Sequence, residues 1–354
     1  MRIGLVRRGH SSTGGAEAYL IRLASELARL GHEPVLVTSR EWPESRWSHP
    51  GIVRLDARSP QEFASAFRAA DTGCDVHLSL ERVPGCEIFR AGDGVHAAWL
   101  RRRAEFEPLW RRATRWLNPK HKQLLELERQ VFDPAGTRAI IANSRLVRDE
   151  ILACSGFPAE RIHVVYNGLS APARAADRAA SRKLLELADG DFCALFVGSG
   201  WDRKGLRTAI RAVEMMEDIS LVVAGRGPAD AFRSRRARFV GPTGDLAALF
   251  AAADVFVLPT RYDPFSNACL EALAAGLPVV TTPANGFCEI IRPGTDGAVV
   301  PADDPLALAD ELENWRPSGA RASGREPRRA RAAEFSIGRN ALETLAVLEA
   351  GISK

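Results

Sequence analysis

Residues 258–282 read Leu-Pro-Thr-Arg-Tyr-Asp-Pro-Phe-Ser-Asn-Ala-Cys-Leu-Glu-Ala-Leu-Ala-Ala-Gly-Leu-Pro-Val-Val-Thr-Thr. A buried strand ends at Leu258, a polar loop follows, and the pattern predicts a helix from Ser266 to Ala275. Gly276 and Pro278 stop that helix before the next strand, Pro278–Thr281. Strand, loop, helix and strand in this order form the repeating unit of a parallel sheet. The loop carries Asp263 and the helix carries Glu271. A helix N-terminus at Phe265–Asn267 presents N–H groups to an anion, and Glu271, one or two turns in, can accept hydrogen bonds from a diol such as a ribose. An acid at a helix dipole plus an exposed Glu would also account for the pair. Against that, Glu271 sits amid Leu270, Ala272, Leu273 and Ala274, where a merely solvated role is less natural.

The same alternation extends in both directions. Upstream, strands are expected at Ile3–Val6, Pro34–Val37, Ile52–Leu55, Val76–Leu80, Glu87–Phe89, Ala139–Ala142 and Arg161–Tyr166. After the stretch 169–180, read as a linker, they recur at Cys193–Val197, Ser220–Ala224, Arg238–Val240, Val255–Leu258, Pro278–Thr281 and Gly297–Val300. Helical patterns lie between them, as at 16–30, where Tyr19, Leu20, Leu23, Leu27 and Leu30 share one face. The expected architecture is α/β, two Rossmann-like doubly wound parallel-sheet domains facing across a cleft. The boundaries are 1–168, 169–337 and a terminal helix, 338–354, packing back toward the first domain. Residues 316–331, rich in Arg, Ser, Gly and Pro, read as an irregular surface segment. No internal repeat is present.

The chain's 354 residues match two domains of roughly 150 each. With 46% hydrophobic residues and a net charge of +4, disorder is excluded as the dominant state. No apolar run is long enough to span a membrane, and Met1–Arg8 does not read as a signal peptide. The six cysteines are scattered, so neither a disulfide framework nor a zinc site is expected, and a reduced cytoplasmic setting fits. The positive charge is local. Residues 1–168 hold 25 Lys and Arg against 20 Asp and Glu, residues 169–354 hold 23 against 24, and residues 99–122 alone hold eight against two.

Hydride-transfer and P-loop fingerprints are absent, because neither Gly14-Gly15 nor Gly198-Ser199-Gly200 has the required spacing. A phosphate site remains at Gly198, with Arg203 and Lys204 ahead of a helical run at Leu206–Met215. Alone, that segment also fits a strand-to-helix turn with two solvated cations. Asp189-Gly190-Asp191 offers a metal-binding pair only superficially and reads as a loop. Asp93 and His96 follow the strand at Glu87–Phe89 and are candidates for binding sugar hydroxyls. A tight turn at Asp93-Gly94 and an ordinary surface histidine are the plainer alternatives.

With these residues in view, the chain resembles the retaining nucleotide-sugar glycosyltransferases of family 4, which have the GT-B fold. The signature of that family is Glu-x7-Glu followed by an Ala and a Gly-x-Pro-Val-Val strand. Here Asp263 stands for the first Glu, with the spacing kept. Gly14-Gly15-Ala16-Glu17, Asn143-Ser144, Asn167-Gly168, Gly198 to Lys204, and Asn285 to Ile291 with Gly294 and Gly297 are similar to its other signposts. The wording at 91–96 and 262–267 points to the branch of lipopolysaccharide core glucosyltransferases.

The resemblance implies a role for each matching residue. The Gly14-Gly15 loop, through the Gly15 N–H, approaches the donor phosphate across the cleft. Gly198, Arg203 and Lys204 neutralise the diphosphate, with Phe265, Ser266 and Asn267 at the helix start beside it. Glu271 holds the ribose and Asp263 contacts the donor sugar; Asp93 and His96, from their place after the strand at Glu87–Phe89, remain candidates for sugar hydroxyls from the first domain. Arg203, Lys204, Asp263 and Asp93 are the catalytic candidates. No metal and no cofactor are expected, and the donor is UDP-glucose or a related UDP-hexose. The family is thought to react on the leaving-group face, the departing phosphate oxygen taking the acceptor's proton. The acceptor is expected to be a lipid-linked or polysaccharide saccharide such as a lipopolysaccharide core intermediate. Replacing Glu by Asp263 shortens its reach by one methylene, which bears on the sugar contact and not on the nucleotide.

In 99–122, Trp99, Phe106, Trp110 and Trp116 interleave with Arg101–Arg103, Arg111, Arg112, Arg115, Lys120 and Lys122. This suits an anionic membrane face or anionic acceptor, hence a cytoplasmic protein attached peripherally to the inner face of the cytoplasmic membrane. Packing of those aromatics on the first domain is the competing reading. Nucleic acid is not an expected partner, since no nucleic-acid module accompanies the charge. Two functional alternatives stay open: a nucleotide-sugar 2-epimerase of the same fold, and a non-catalytic nucleotide-sugar-binding protein.

Overall fold

The computed structural model describes residues 1–9, 15–108, 118–170, 176–188, 190–243 and 245–352. The chain divides into two compact units, Met1–Ser170 with Ile337–Lys354, and Ala171–Ser336. In the first unit β1 (Arg2–Val6), β2 (Glu33–Ser39), β3 (Gly51–Leu55), β4 (Val76–Ser79), β5 (Ile88–Ala91), β6 (Ala139–Ala142) and β7 (Ile162–Val164) form a seven-stranded sheet in the order β3-β2-β1-β4-β5-β6-β7. In the second unit β8 (Phe192–Val197), β9 (Ile219–Ala224), β10 (Ala237–Gly241), β11 (Val255–Leu258), β12 (Val279–Thr281) and β13 (Gly297–Val299) form a six-stranded sheet in the order β10-β9-β8-β11-β12-β13. All these pairings are parallel. Every strand expected from the sequence forms, with ends displaced by at most two residues, because uninterrupted runs such as Phe-Cys-Ala-Leu-Phe-Val in β8 can only be buried on both faces.

The first unit carries α1 (Gly15–Arg29), α2 (Pro60–Ala69), α3 (His96–Phe106), α4 (Pro119–Val131) and α5 (Arg145–Cys154). The second carries α6 (Arg178–Leu184), α7 (Leu206–Glu214), α8 (Leu246–Ala252), α9 (Asn267–Ala274), α10 (Pro305–Asn314), α11 (Ser318–Ser323) and α12 (Arg325–Ala333). The last helix, α13 (Ile337–Ile352), returns to the first unit. Its Ile337, Ala341, Val347 and Leu348 share one core with Leu20, Leu23 and Leu27 of α1 and with Ile88 of β5. The next residue, Phe89, packs on the opposite face with Ile140, Val147 and Ile151, so helices cover the sheet on both sides.

Two expectations need correction. The stretch 169–180 is not all linker. α6 begins inside it at Arg178, where the Asp177 side chain accepts the Ala180 N–H at 2.7 Å. Arg178 then docks the helix through an ion pair with Asp254 at 2.8 Å. Residues 171–175 lie outside the described part.

The segment 316–331 is also not irregular, since it holds α11 and the greater part of α12. Arg328 has no exposed surface. It donates from Nε to the Gly276 carbonyl at 2.8 Å and from Nη1 to that of Thr295 at 2.9 Å, with its guanidinium 5.7 Å from the centre of the Trp315 ring. A buried cation spread over main-chain carbonyls and an aromatic face gives this arginine-rich segment a core of its own.

Both sheets change direction at a defined place: between β1 and β4 in the first unit and between β8 and β11 in the second. Loops leaving the carboxyl ends of such neighbouring strands diverge and leave a crevice, where ligands of doubly wound sheets bind.

Candidate active site

In the second unit that crevice is flanked by the loop after β8 and the loop after β11. Gly198 directly follows β8 in a positive-φ conformation (φ 154°), and the Lys204 side chain runs over it, with Cε 3.4 Å from where a Cβ at 198 would stand. Lys204 reaches Asp263 and forms an ion pair with its carboxylate, with side chains only 13% and 8% exposed. The loop returns tightly at Gly205 (φ 77°), where a Cβ would lie 1.9 Å from the Pro259 carbonyl oxygen. Only glycine lets the start of α7 lie this close to the end of β11. Arg203 donates from Nη1 to the Tyr262 carbonyl at 2.7 Å, and its own carbonyl accepts the Arg261 N–H at 2.8 Å and the Thr260 hydroxyl at 2.9 Å. The two loops are thus laced together, bringing Gly198, Arg203, Lys204 and Asp263 into one place.

Asp263 is held from its other side as well. Its N–H donates to the Ala284 carbonyl at 2.9 Å, and its carbonyl accepts the Gly286 N–H at 3.0 Å. α9 starts four residues later, behind its cap Ser266. Ser266 caps it by accepting the Cys269 N–H, while its own N–H donates to Asn285 Oδ1 at 3.2 Å. The Ser266 N–H is therefore satisfied within the chain. Phe265 is 4% exposed and meets Phe287 edge-on at 5.8 Å, so its ring belongs to the core. Asn267 and Glu271, one helical turn apart, lie on the partly exposed face of α9, opposite the buried Cys269, Leu270, Ala272 and Leu273.

In the first unit Gly15 is the exposed first residue of α1, and Gly14 lies outside the described residues. Asp93 sits on a turn closed by the Gly94 N–H and the Ala91 carbonyl at 3.1 Å, with Gly94 at φ 73°, and its carboxylate is exposed. The turn reading of Asp93-Gly94 holds, with Asp93 an exposed residue on it. His96 is the first residue of α3. Its Nε2 lies 3.1 Å from His121 Nδ1, and burial, then the charge of Arg82 and the nearness of His121 and Arg103, lower its pKa to about 4. It therefore stands neutral near pH 7.

Sequence reasoning missed two residues here. Glu128, on α4 and 3% exposed, accepts the His96 and Ala97 N–H groups at 2.6 and 2.9 Å and pairs with Arg82 at 2.9 Å. It occupies the N-terminus of α3, a place a helix offers to an anion. Glu81, which follows β4, accepts the Arg8 N–H at 2.5 Å, and burial above all raises its pKa. Neither carries a local signal, because each acts on residues distant in sequence.

Of the basic stretch, residues 109–117 lie outside the described part. Arg102 pairs with Glu150 at 3.1 Å and Arg103 with Glu107 at 2.5 Å, while Arg101, Lys120 and Lys122 are exposed. Asp189 is outside the described residues, and Asp191 closes the turn after α6 by accepting the Ala188 N–H at 2.8 Å. Among the described residues no three His, Cys, Asp or Glu side chains converge as metal ligands, and no helix is long and apolar enough to cross a membrane.

Comparison with known proteins agrees with this picture. Residues 14–168 match a glycosyl transferase 4-like domain, and residues 191–315 match the glycosyl transferases group 1 domain. A probable transglycosylase of Burkholderia thailandensis is 29% identical over 319 residues, covering 86% of this chain and 83% of that protein. Among solved structures, WaaG, a glycosyltransferase involved in lipopolysaccharide biosynthesis, superposes with a TM-score of 0.80 at 19% identity, covering 98% of this chain and 99% of that one. Anabaena HepE in complex with UDP-glucose superposes at 0.76 with 19% identity, covering 98% and 99%.

Proposed function

The chain belongs to the GT-B glycosyltransferases that join a GT4-like domain to a group 1 domain, and from that premise we propose that it moves a hexose, glucose or a close relative, from a UDP-sugar to a saccharide acceptor with retention of configuration. The observation that carries this reading is the meeting of Lys204 and Asp263 over Gly198 at the switch point of the second sheet. A nucleoside diphosphate sugar brings to such a crevice two phosphates, which Lys204 and Arg203 neutralise, and a hexose, whose hydroxyls Asp263 accepts. Glu271, on the open face of α9, takes the ribose diol.

Breaking the sugar–phosphate bond puts negative charge on the departing diphosphate. Fixed cations set in place before the reaction stabilise that charge without having to reorganise. The departing phosphate oxygen takes the acceptor's proton, so that no dedicated protein base is required. The neutral His96 hydrogen-bonds a hydroxyl without adding charge. The acceptor we propose is a lipid-linked or polysaccharide saccharide such as a lipopolysaccharide core intermediate. It would be met at the inner face of the cytoplasmic membrane, through the exposed cations at 101, 120 and 122.

Calorimetry with UDP-glucose, together with slow donor hydrolysis, tests this. Wild type should bind and hydrolyse the donor, and Lys204→Ala should lose on the order of a hundredfold in hydrolysis. A wild-type protein whose melting temperature no UDP-hexose shifts would end the donor assignment.

A further inference from the structure

Asn285 has no exposed surface, and its amide is saturated. Oδ1 accepts the Ser266 and Phe287 N–H groups, each at 3.2 Å, and Nδ2 donates to Thr281 Oγ1 at 3.0 Å and to Cys269 Sγ at 3.4 Å. The orientation is unambiguous, because main-chain N–H groups can only donate and so must face the oxygen. Thr281 completes the arrangement by donating its hydroxyl proton to the Leu258 carbonyl at 2.7 Å. One side chain thus joins the end of β12, the cap of α9 and the turn after it. The residues on either side of Asn285 are Ala284 and Gly286, the two that bracket the Asp263 main chain through hydrogen bonds of 2.9 and 3.0 Å.

An aspartate carboxylate hangs from its Cα by a single methylene, so it has few rotamers with which to correct a misplaced backbone. Where the main chain of residue 263 stands decides where the carboxylate stands. We propose that Asn285 is the positioning residue for sugar recognition at Asp263: it fixes the 284–286 main chain that holds Asp263, and so sets the part of donor affinity that comes from the hexose. The inference rests on the donor reading above.

The test is calorimetric titration of the whole chain with UDP-glucose and with UDP alone, for wild type, Asn285→Ala and Asn285→Ser. The readout is the ratio of the two affinities, which separates the hexose contribution from that of the nucleotide. In Asn285→Ala the ratio should fall by about tenfold, the worth of one well-placed hydrogen bond to a charged group, while affinity for UDP stays within about twofold. Asn285→Ser keeps an oxygen toward the two N–H groups and should recover part of the ratio. Equal weakening toward both ligands would mean general damage and would overturn the proposal, as would an unchanged ratio. If Asn285→Ala does not fold, the serine variant decides alone, and a wild-type ratio there overturns it. A wild type that binds UDP but gains nothing from the glucose also ends this inference and leaves the nucleotide site standing. One that binds neither ends the donor reading and the inference together.

Discussion

The imidazole of His96 is held at about 4, well below its ordinary value, by burial and by the charges of Arg82 and Arg103 beside His121. The folded protein therefore takes up this proton only in strong acid, whereas the unfolded chain takes it up near the ordinary histidine value of about 6.5. Between those values the unfolded state binds more protons, so stability falls as the pH drops from about 6.5 to about 4. NMR titration should place the His96 midpoint near 4, and denaturation at pH 5 should show His96→Asn to be less acid-sensitive than wild type. A midpoint near 6.5 would count against this environment. Lys204 and Asp263 were both legible as candidates from strand-loop-helix context and from the resemblance. Their ion pair was not, because it depends on two loops 59 positions apart arriving together. Glu128 gave no sign at all, since a glutamate amid Leu124, Leu125 and Leu127 looks like any helical acid until α4 packs against the start of α3.

Helices and turns set these residues in place, and their failures should be selective. Gly205→Ala puts a methyl 1.9 Å from the Pro259 carbonyl oxygen at a φ of 77°, two faults that no side-chain adjustment relieves. A loss of about 2–4 kcal/mol, measured by chemical denaturation, is expected, together with weakened UDP binding. α3 restricts the membrane hypothesis in a way composition could not. Arg102 and Arg103 are engaged by Glu150 and Glu107, and within the described part of 99–122 the exposed cations are Arg101, which also donates to Cys154 Sγ at 3.0 Å, Lys120 and Lys122. Charge reversal at those three positions should weaken cosedimentation with anionic vesicles at low salt, while Arg102→Ala should change it little; unchanged binding in the triple variant would remove these three side chains from the interaction. The arginine-rich segment 316–331 was misread for the complementary reason. Its composition is that of a solvated loop, and only carbonyls from elsewhere in the second unit make Arg328 a buried residue.

Over the whole chain, the two units are built on the same plan, yet the first is not continuous in sequence, because α13 completes it after the second. Its apolar side chains fill the core beside α1, each contributing roughly 1.5–3 kcal/mol by burial of the larger ones. Removing residues 337–354 should therefore lower the melting temperature of the first unit while leaving the second unit's transition in place, as differential scanning calorimetry would show; a single unchanged transition would contradict this. The sequence by itself determined the strand count, the alternation with helices, the parallel sheets and the family, because these follow from short-range periodicity and from local motifs such as 258–282. The tertiary structure alone decided which residues meet: Asn285 with the frame of Asp263, Glu128 with the start of α3, Arg328 with its carbonyls. Burial periodicity is written along the chain within a few residues, whereas a hydrogen bond between segments exists only after the sheet order has brought their ends together.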